Sequence, residues 1–360
     1  MSRGRVIVAM SGGVDSAVAA ARLRDEGFEV VGVTLHLWDY PDDGPGSHQR
    51  CCAPEDQYDA RRTADALGFP HYTFDRRALF EERVVGPFVD AYLEGRTPSP
   101  CTTCNRSVKL GELFAIADRL GAERVATGHY ARVVLHEGAP FIARGLDREK
   151  DQSYFLYALA PEHVARLVFP LGASTKAEVR AEAIARALPG ATKGESQELC
   201  FVGAGKGAYA EFVAARAGGR VRPGPIVMGD RTVGAHDGAH QFTIGQRKGL
   251  GVAVGAPAFV TAIEGGFVRL GSEDELLAIG ADLADVRVHP AARLPLTGVA
   301  RVRYRHDGVR ARLERADASA ATLRFEGPVR AVSPGQVAVV YDDDRVVAGG
   351  VIVRAHPRKP

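Results

Sequence analysis

The chain lacks any long hydrophobic segment. No stretch of its 360 residues reaches the roughly 20 uninterrupted apolar residues that a membrane-spanning helix requires. The opening, MSRGRVIVAMSGG, offers only about five apolar residues before the glycines, too few for the apolar part of a signal peptide. These absences argue against a membrane protein and predict a cytoplasmic location with no membrane partner.

Cysteine is also scarce. The chain has 5 cysteines, and an odd number in a large protein argues against a disulfide framework and for free or catalytic thiols in a reducing compartment. With 46% hydrophobic and 25% charged residues, a chain of this length is expected to form two or three domains. The net charge of +2 excludes no partner, because a nucleic-acid-binding protein can gather its arginines on one face.

The first 200 residues or so alternate between β-branched runs and helical segments. After the strand RVIVAM and the turn SGGVDS comes an alanine-rich helix ending at Gly27. Three more strands are predicted over EVVGVTLHLW, PHYTFD and RVATGHYARV, with helices over PEDQYDARRTADALG and KLGELFAIADRLG between them. This order predicts an α/β fold with a doubly wound parallel sheet. Ligands of such sheets bind at the carboxyl ends of the strands, where SGGVDS and TGHY are expected to lie.

The character of the sequence changes after about residue 205. Glycines multiply, helices fade, and short alternating runs appear, such as VARVRYR, VRARLERA, ATLRFEG and QVAVVYDDDRVVAGGVIV. A break between 280 and 295 carries two prolines in LADVRVHPAARLP. We therefore predict an α/β domain at 1–208, a small central β-rich domain at 209–282 and a C-terminal β-barrel at 283–360.

The glycine turn Ser11–Ser16 lies between a strand and a helix, where backbone N–H groups and the positive helix end form an anion site. A plain helix-capping turn is the structural alternative. The turn has neither a Walker lysine nor G-x-G-x-x-G spacing, so it favours neither a P-loop NTPase nor a dinucleotide fold. S-G-G-x-D-S is instead similar to the signature of PP-loop ATP pyrophosphatases, which cleave between the α and β phosphates and adenylate a substrate oxygen.

The C-x-x-C of TPSPCTTCN is compatible with half a zinc site, a redox pair, two iron–sulfur ligands or one reactive thiol. Zinc is disfavoured, because the remaining thiols are the adjacent Cys51 and Cys52, which have poor geometry, and the lone Cys200. The polar, proline-bent loop around Cys101 and Cys104 and the glycine turn after Cys200 predict exposed, reactive thiols rather than buried structural ones.

Six motifs in this order resemble the bacterial tRNA-specific 2-thiouridylases: SGGVDSAV, RTPSPCTTCN, TGHYAR, GLDREKDQSYFL, GESQELCFVG and HQFTIGQRKGLGV. The resemblance runs from about residue 5 to about 353, with RVRYR and VSPGQVAVVYD matching the family's C-terminal barrel. It implies an enzyme that places sulfur at C2 of the wobble uridine of tRNA, with lysine, glutamate and glutamine acceptors expected. The implied cofactor is ATP with Mg²⁺, and the implied sulfur donor is a cysteine desulfurase or a sulfur-carrier protein.

The resemblance also assigns residues. It implies that Cys104 is the nucleophile and that Cys200 receives sulfur as a persulfide. ATP contacts are implied at Ala9, Met10, Ser11, Gly12, Gly13, Val14, Asp15, Ser16, Leu35 and Gly128. Contacts with tRNA are implied at Ser99, Pro100, Cys101, His129, Lys150, Asp151, Gln152, Arg303, Tyr304 and Gln336.

Two thiols suit the implied chemistry. ATP adenylates the unreactive C2 carbonyl oxygen, the Cys200 persulfide delivers sulfur, and Cys104 attacks that persulfide, freeing sulfide or closing a transient disulfide as AMP departs. The Cα atoms of the two cysteines are then expected within roughly 4–7 Å of each other in some state. The wobble base would have to leave its stack.

One position departs from the family. Where many members carry an aspartate often proposed as a base, this chain has Ser99-Pro100-Cys101, which puts an aspartate base in doubt. The same change leaves an alternative open, in which Cys101, Cys104 and Cys200 hold a [4Fe–4S] cluster with one iron free to bind sulfide. Two other hypotheses are a PP-loop ligase or amidotransferase acting on a small molecule, and a non-enzymatic iron–sulfur or zinc RNA-binding protein.

Two further stretches carry weaker signals. A metal site in HDGAHQFTIGQRKGLG is disfavoured, because His236 and His240 sit among glycines rather than on an expected helix. Cationic residues with β spacing predict one basic face suited to RNA: Arg301, Arg303, Tyr304, Arg305, Arg310 and Arg312.

Overall fold

The computed structural model describes residues 3–39, 54–193, 199–203, 205 and 207–358, so Cys51 and Cys52 lie outside the described residues. The chain divides into two compact units. The first comprises residues 1–84, 101–204 and 344–346, and the second comprises residues 85–100, 205–343 and 347–360.

The elements are named in chain order. The first part of the chain forms β1 (Arg5–Ala9), α1 (Val14–Asp25), β2 (Glu29–His36), α2 (Pro54–Leu67), β3 (His71–Asp75), α3 (Arg77–Phe80), α4 (Gly86–Leu93), α5 (Pro100–Cys104), α6 (Leu110–Arg119), β4 (Arg124–Ala126), β5 (Ala131–His136), β6 (Ala139–Arg144), α7 (Pro161–Val164), β7 (Leu167–Val168) and α8 (Lys176–Ala185). Two π-helical segments, Glu81–Val85 and Asn105–Lys109, lie among these helices. The remainder forms α9 (Ala208–Arg216), β8 (Gly224–Met228), β9 (Arg231–His236), β10 (Phe259–Glu264), β11 (Phe267–Gly271), β12 (Leu277–Val288), β13 (Leu296–Arg301), β14 (Val309–Arg315), β15 (Ala321–Arg330), β16 (Val337–Asp342) and β17 (Arg345–Pro357).

A parallel sheet forms the centre of the first unit, in the order β3-β2-β1-β4-β7. Every pairing in it is parallel, with Ile7 of β1 opposite Val31 of β2 and Val125 of β4. Val6, Ile7 and Val8 are fully buried, as expected of a central strand covered on both faces. The prediction of a parallel α/β sheet is confirmed.

Helix α1 packs its small side chains against this sheet. Ala17 to Ala21 are buried, and the hydrophobic core around them includes residues of β1, α2 and α8. The helix ends at Asp25, followed by Gly27 with φ of +86°. Because only glycine adopts this conformation readily, Gly27 marks the helix end as the sequence predicted.

The prediction of a single fourth strand over RVATGHYARV is wrong. Strand β4 ends at Ala126 in the parallel sheet, whereas β5 begins at Ala131 and pairs antiparallel with β6. Between them the Thr127 side chain accepts a hydrogen bond from the backbone N–H of His129. Such local side-chain bonds compete with strand pairing, so the chain turns at TGHY instead of continuing.

The second unit contains a small mixed sheet and a barrel. The sheet has the order β10-β11-β8-β9 and covers a core that includes Ile226, Val260 and Leu270. The expectation that helices fade after residue 205 is wrong for α9, whose Phe212 ring contacts Phe88 of α4 with centroids 6.2 Å apart. This aromatic contact gives the short helix a packed face that its local glycine-rich surroundings do not reveal.

The barrel strands follow the order β12-β15-β14-β13-β16-β17, and β12 also pairs with β17, which closes the circle. The predicted C-terminal β-barrel is confirmed as an architecture. The proposed boundary between residues 282 and 283 lies inside β12. In the part of the chain that the structure describes, no helix combines the length and apolar character needed to cross a membrane.

Candidate functional site

The glycine loop after β1 fits tightly against α2. Gly12 has φ of +73°, and a Cβ there would collide with the backbone carbonyl of Asp56. The Lys193 ammonium binds the carboxylates of Asp56, at 3.0 Å, and Asp59. Any side chain at position 12 would push the loop off α2, so this glycine is required by the close approach of two backbones.

Hydrogen bonds inside the loop fix its shape. The backbone N–H of Ser11 donates to Oγ of Ser16 at 3.2 Å, and that hydroxyl donates to the carbonyl of Gly13 at 2.9 Å. Gly13 occupies the N-cap of the 12-residue helix α1, and no side chain caps the helix there. The loop therefore presents the positive end of a long helix with no capping side chain, an arrangement that suits an anion.

Two more glycines lie against the loop. A Cβ on Gly128 would stand 2.9 Å from the backbone carbon of Asp15, and one on Gly190 would stand 3.1 Å from the carbonyl oxygen of Gly12. The sequence-predicted Gly128 is thus in contact with the loop, as a ligand-edge residue should be. Gly190 was not predicted, because one glycine in a helical C-terminal stretch such as ALPG resembles an ordinary helix stop.

The other implied ATP contacts lie on the adjoining strands. Ala9 ends β1, and the carbonyl of Met10 accepts a hydrogen bond from the Thr34 hydroxyl at 2.7 Å. Val14 is buried at the start of α1, and Leu35 is buried in β2. These residues meet at the carboxyl ends of β1 and β2.

Asp15 makes the strongest polar contacts of the loop. The Lys176 Nζ lies 2.7 Å from one carboxylate oxygen of Asp15 and 2.8 Å from the other. The Tyr130 hydroxyl donates to the same carboxylate at 2.9 Å. Both partners come from distant segments, the TGHY turn and the start of α8.

Cys104 lies at the end of α5 and is only 6% exposed. The prediction of an exposed loop thiol is therefore wrong for this residue: the chain enters a helix at Pro100 and carries Cys104 inward. Burial raises the pKa of the Cys104 thiol, and the charge and backbone N–H of Lys109 act in the opposite direction. Next to it, the buried Asn105 has a side-chain oxygen without a hydrogen-bond partner. The π-helical segment that follows is a feature often found at functional sites.

Cys101 and Cys200 are half-buried, and no disulfide joins Cys101, Cys104 and Cys200 to one another. The residue after Cys200 is fixed by aromatic rings: Phe201 meets Phe80 with centroids 5.5 Å apart and Trp38 with centroids 6.1 Å apart. The prediction of exposed thiols is thus met only in part at Cys101 and Cys200, and a packed neighbour anchors Cys200.

His129 lies in the turn beside Gly128. Its Nδ1 is 2.7 Å from the Thr127 hydroxyl, and its ring contacts Phe169 edge to face. Burial, together with the nearby Lys109 charge, lowers the pKa of His129 to about 3. A neutral imidazole at this position can form hydrogen bonds with a base or a ribose but adds no positive charge.

The KDQ segment is built into the fold. The buried Asp151 carboxylate accepts hydrogen bonds from the backbone N–H groups of Gly145 and Ser153, both at 3.1 Å. The Gln152 side chain accepts from the backbone N–H of Tyr130 at 3.0 Å, while Lys150 is half-buried. Asp151 therefore holds the chain between Gly145 and Ser153 in place, and Gln152 holds the TGHY segment. Lys150 is the positively charged side chain of the KDQ segment.

Within the second unit, Gln336 contacts the segment that leads to the thiols. Its side-chain amide donates to the carbonyls of Thr97 at 3.0 Å and Pro98 at 3.3 Å. The half-buried Ser99 and the buried Pro100 follow directly. Gln336 thus supports the TPSP segment.

The predicted basic face is only partly correct. Arg303, Tyr304 and Arg305 lie in the turn between β13 and β14 rather than on a strand, and the Arg303 side chain donates to the carbonyl of Arg330 at 3.0 Å. The side chain of Arg301 donates to the carbonyl of Tyr304. Arg310 and Arg312 do lie on β14, but they pair with Glu326 and Glu314. A cross-strand carboxylate, Glu326 of β15, and a same-strand carboxylate, Glu314, thus offset the charges of these two arginines, which β spacing alone does not reveal.

Three family models match the chain. Residues 4–204 match a model described as the tRNA methyl transferase HUP domain, residues 210–265 match its PRC-barrel domain, and residues 284–352 match the aminomethyltransferase beta-barrel domain. Among curated proteins, the tRNA-specific 2-thiouridylase MnmA of Sorangium cellulosum is 62% identical over 362 residues, covering 98% of this chain and 93% of the relative. The chain belongs to the tRNA-specific 2-thiouridylase family.

Other members of the family are similar along the same length. The MnmA proteins of Moorella thermoacetica and Thermus thermophilus are each 44% identical, with 96% and 97% of this chain and 98% and 95% of the relative covered. The domain models carry the word methyltransferase, but relatives that match nearly the whole chain are named for thiolation. The whole-chain relationship therefore determines the family.

Membership in a PP-loop family supports ATP binding, and the described loop fits it. A protein-held metal centre has less support. Within the described ranges, no group of three or more His, Cys, Asp or Glu side chains is placed to hold a metal ion. Cys101, Cys104 and Cys200 do not form such a group in their present positions. His236 does not belong to one either, and it ends β9 rather than lying on a helix. The thiols as placed do not fit a [4Fe–4S] cluster.

Sequence reasoning did not identify three site residues: Lys109, Tyr130 and Lys176. Lys109 follows Cys104 by five residues, and only the π-helical turn brings its backbone N–H to the thiol. For Lys176 a local signal was available, since Thr175 and Glu178 form a capping box that fixes the start of α8. The sequence does not show that Lys176 pairs with Asp15, because the two residues are 161 positions apart.

Proposed function

We propose that this protein is an ATP-dependent tRNA-uridine 2-sulfurtransferase that thiolates C2 of the wobble uridine. One observation carries the proposal. Lys109 lies close enough to Cys104 and His129 for its charge to lower the pKa of both groups. Gly128, next to His129, lies against the backbone of Asp15 in the glycine loop. One turn of the chain thus links the buried thiol to the anion-binding loop, which an enzyme that couples adenylation to sulfur transfer requires.

The first step uses the loop. ATP, with Mg²⁺ as its counter-ion, is bound with its phosphates at the start of α1, where the helix has no capping side chain. The C2 oxygen of the uridine attacks the α phosphate, and pyrophosphate leaves. The product carries AMP on the C2 oxygen, which turns a poor leaving group into a good one.

The second step uses the thiols. A cysteine desulfurase or a sulfur-carrier protein supplies a terminal sulfur to Cys200, giving a persulfide. The Cys104 thiolate attacks Sγ of Cys200, the bond to the terminal sulfur breaks with its electron pair on that sulfur, and a Cys104–Cys200 disulfide forms. The released hydrosulfide attacks C2, AMP departs, and an external thiol reduces the disulfide before the next turnover.

The remaining residues serve tRNA. The tRNA contacts of the first unit are Cys101, the neutral His129 and Lys150. Those of the second unit are Ser99, Pro100, Arg303, Tyr304 and Gln336. The wobble base leaves its stack to reach a buried thiol, which is the usual requirement for chemistry on a base. Acceptors for lysine, glutamate and glutamine are the proposed substrates. We further propose a cytoplasmic location, and domains at 1–208, 209–282 and 283–360.

The test is nucleoside mass spectrometry of unmodified tRNA incubated with the protein, ATP and a cysteine desulfurase. We expect 2-thiouridine in air, its loss with Cys104→Ser or Cys200→Ser, and its persistence with Cys101→Ser. A requirement for bound iron, strict anaerobiosis and all three cysteines would instead support the cluster alternative. If ATP is hydrolysed without thiouridine under any condition, a small-molecule ligase becomes the better hypothesis.

A further inference from the structure

The ion pair between Lys176 and Asp15 joins two segments of the first unit. Both carboxylate oxygens of Asp15 lie within 2.8 Å of the Lys176 Nζ. The Lys176 side chain is 12% exposed, whereas that of Asp15 is 34% exposed. The cation is therefore the more buried partner, and the anion faces the more open side of the site.

Lys176 is held in this position by its backbone. Thr175 caps α8 through a capping box with Glu178, and the backbone N–H of Lys176 donates to the Asp147 carboxylate at 2.9 Å. The Lys176 ammonium also lies 5.8 Å from the centre of the Tyr130 ring, within cation–π range. These contacts fix where the side chain begins and where it ends.

The position of Asp15 poses an electrostatic problem for the loop. Asp15 lies in the first turn of α1, where a phosphate is expected to bind, and its carboxylate repels such an anion. The glycine loop has no lysine of its own, unlike a Walker motif. Among the described residues, the ammonium that contacts both oxygens of this carboxylate is that of Lys176, so it offsets the negative charge at the loop even when no divalent cation is bound.

We propose that Lys176 is a positioning residue that neutralises Asp15 and so sets the affinity of the glycine loop for the triphosphate of ATP. This inference rests on the proposed function only in taking ATP as the ligand. It assigns to the first residue of α8 the charge that a Walker lysine supplies from within its own loop. It also explains why Lys176 is buried beside an acidic residue rather than extended into solvent.

The test is a charge-balance cycle measured by calorimetry, with ATP as the probe, EDTA present to remove divalent cations, and no tRNA. We expect Lys176→Met to raise the Kd for ATP about tenfold, and Asp15→Asn to lower it, in line with one elementary charge acting across a partly exposed site. The double variant, which restores the original net charge, should return to within about threefold of the wild-type Kd. Lys176→Arg, which keeps the charge, should stay close to wild type.

Arg186→Met is the matched control, because it breaks an ion pair of the same unit, with Asp25, just beyond the other end of α8. It should leave the Kd unchanged. If Lys176→Met does not fold, Lys176→Gln in the Asp15→Asn background replaces it, with thermal melting used to confirm folding.

An equal loss of ATP affinity from Lys176→Met in the wild-type and Asp15→Asn backgrounds would overturn the proposal, because a lysine that binds the phosphates directly or only supports the fold acts independently of Asp15. Absence of ATP binding by the wild-type protein would also overturn it. A protein that behaves as expected in this cycle but makes no thiouridine would contradict the proposed function alone.

Discussion

The side-chain amide of Gln336 donates hydrogen bonds to the backbone carbonyls of Thr97, at 3.0 Å, and Pro98, at 3.3 Å. The backbone N–H of Thr97 in turn donates to the carbonyl of Pro334 at 2.9 Å, and a Cβ on Gly335 would lie 2.9 Å from the Thr97 backbone. The turn before β16 therefore fixes the segment that continues into α5, at whose end Cys104 lies.

Gln336→Ala should slow thiouridine formation about tenfold with little change in ATP affinity, because two hydrogen bonds worth about 1 kcal/mol each are lost from the TPSP segment. The measurement is single-turnover thiolation alongside ATP and tRNA binding. Gln246→Ala is the control, since its side-chain amide bonds within its own turn: it donates to the carbonyl of Lys248 at 3.1 Å and accepts from the backbone N–H of Thr243 at 3.0 Å. A variant with normal turnover and weakened tRNA binding would show that Gln336 acts only on tRNA.

Lys109→Met should shift the pH dependence of Cys104 to higher pH. Burial already raises the pKa of the Cys104 thiol, and Lys109 opposes that rise, so removing its charge leaves a smaller thiolate fraction at neutral pH. We expect alkylation of Cys104 by iodoacetamide to need more alkaline conditions than in wild type. Arg106→Met, in the same π-helical segment, is the control; equal pH profiles for Lys109→Met and wild type would contradict this role.

His129 should contribute stability that disappears in acid. Its pKa is lowered to about 3 from an ordinary 6.5, so the unfolded chain binds a proton at a pH where the folded protein does not. The contribution is fully present above pH 6.5 and is lost as the pH falls toward 3. Urea unfolding of His129→Asn should therefore lose less stability than wild type on acidification. The exposed His136→Asn is the control, and parallel losses in all three proteins would refute the assignment.

Trp38 is the only tryptophan, and its ring contacts Phe201, the residue after Cys200. Phe201→Ala should destabilise the fold by about 3–5 kcal/mol, the usual cost of removing a packed phenylalanine. It should also shift Trp38 emission to longer wavelength and slow sulfur loading of Cys200. Phe267→Ala, which removes a half-exposed ring, should leave the emission unchanged. Unaltered emission in Phe201→Ala would show that the aromatic contact does not hold this segment.

Features that depend on neighbouring residues were predictable. The strand, glycine turn and helix from Arg5 to Gly27 follow from β-branched residues, glycines and alanines in sequence, and the structure confirms each element. The period-2 runs of the barrel were likewise recognisable, because alternation reports directly which side chains face the core.

Features that depend on distant partners were not predictable. Nothing in TPSPCTTCN shows that Cys104 is buried, because that burial is tertiary. Gln336 matches a tRNA-contact position in the resemblance, yet its partner carbonyls are more than 230 positions away. TGHY does follow the carboxyl end of a strand as expected, but RVATGHYARV was misread as one continuous strand, because the local bond between Thr127 and His129 favours a turn there.

The most direct test of the account is to locate the transferred sulfur before it reaches tRNA. The protein is incubated with cysteine and a cysteine desulfurase, without ATP or tRNA, and its alkylated peptides are analysed by mass spectrometry. We predict one added sulfur atom on the Cys200 peptide, retained in Cys104→Ser and released to tRNA by wild type once ATP and tRNA are added. Sulfur found on Cys104 or Cys101 instead, or thiouridine formed without any loading of Cys200, would contradict the account.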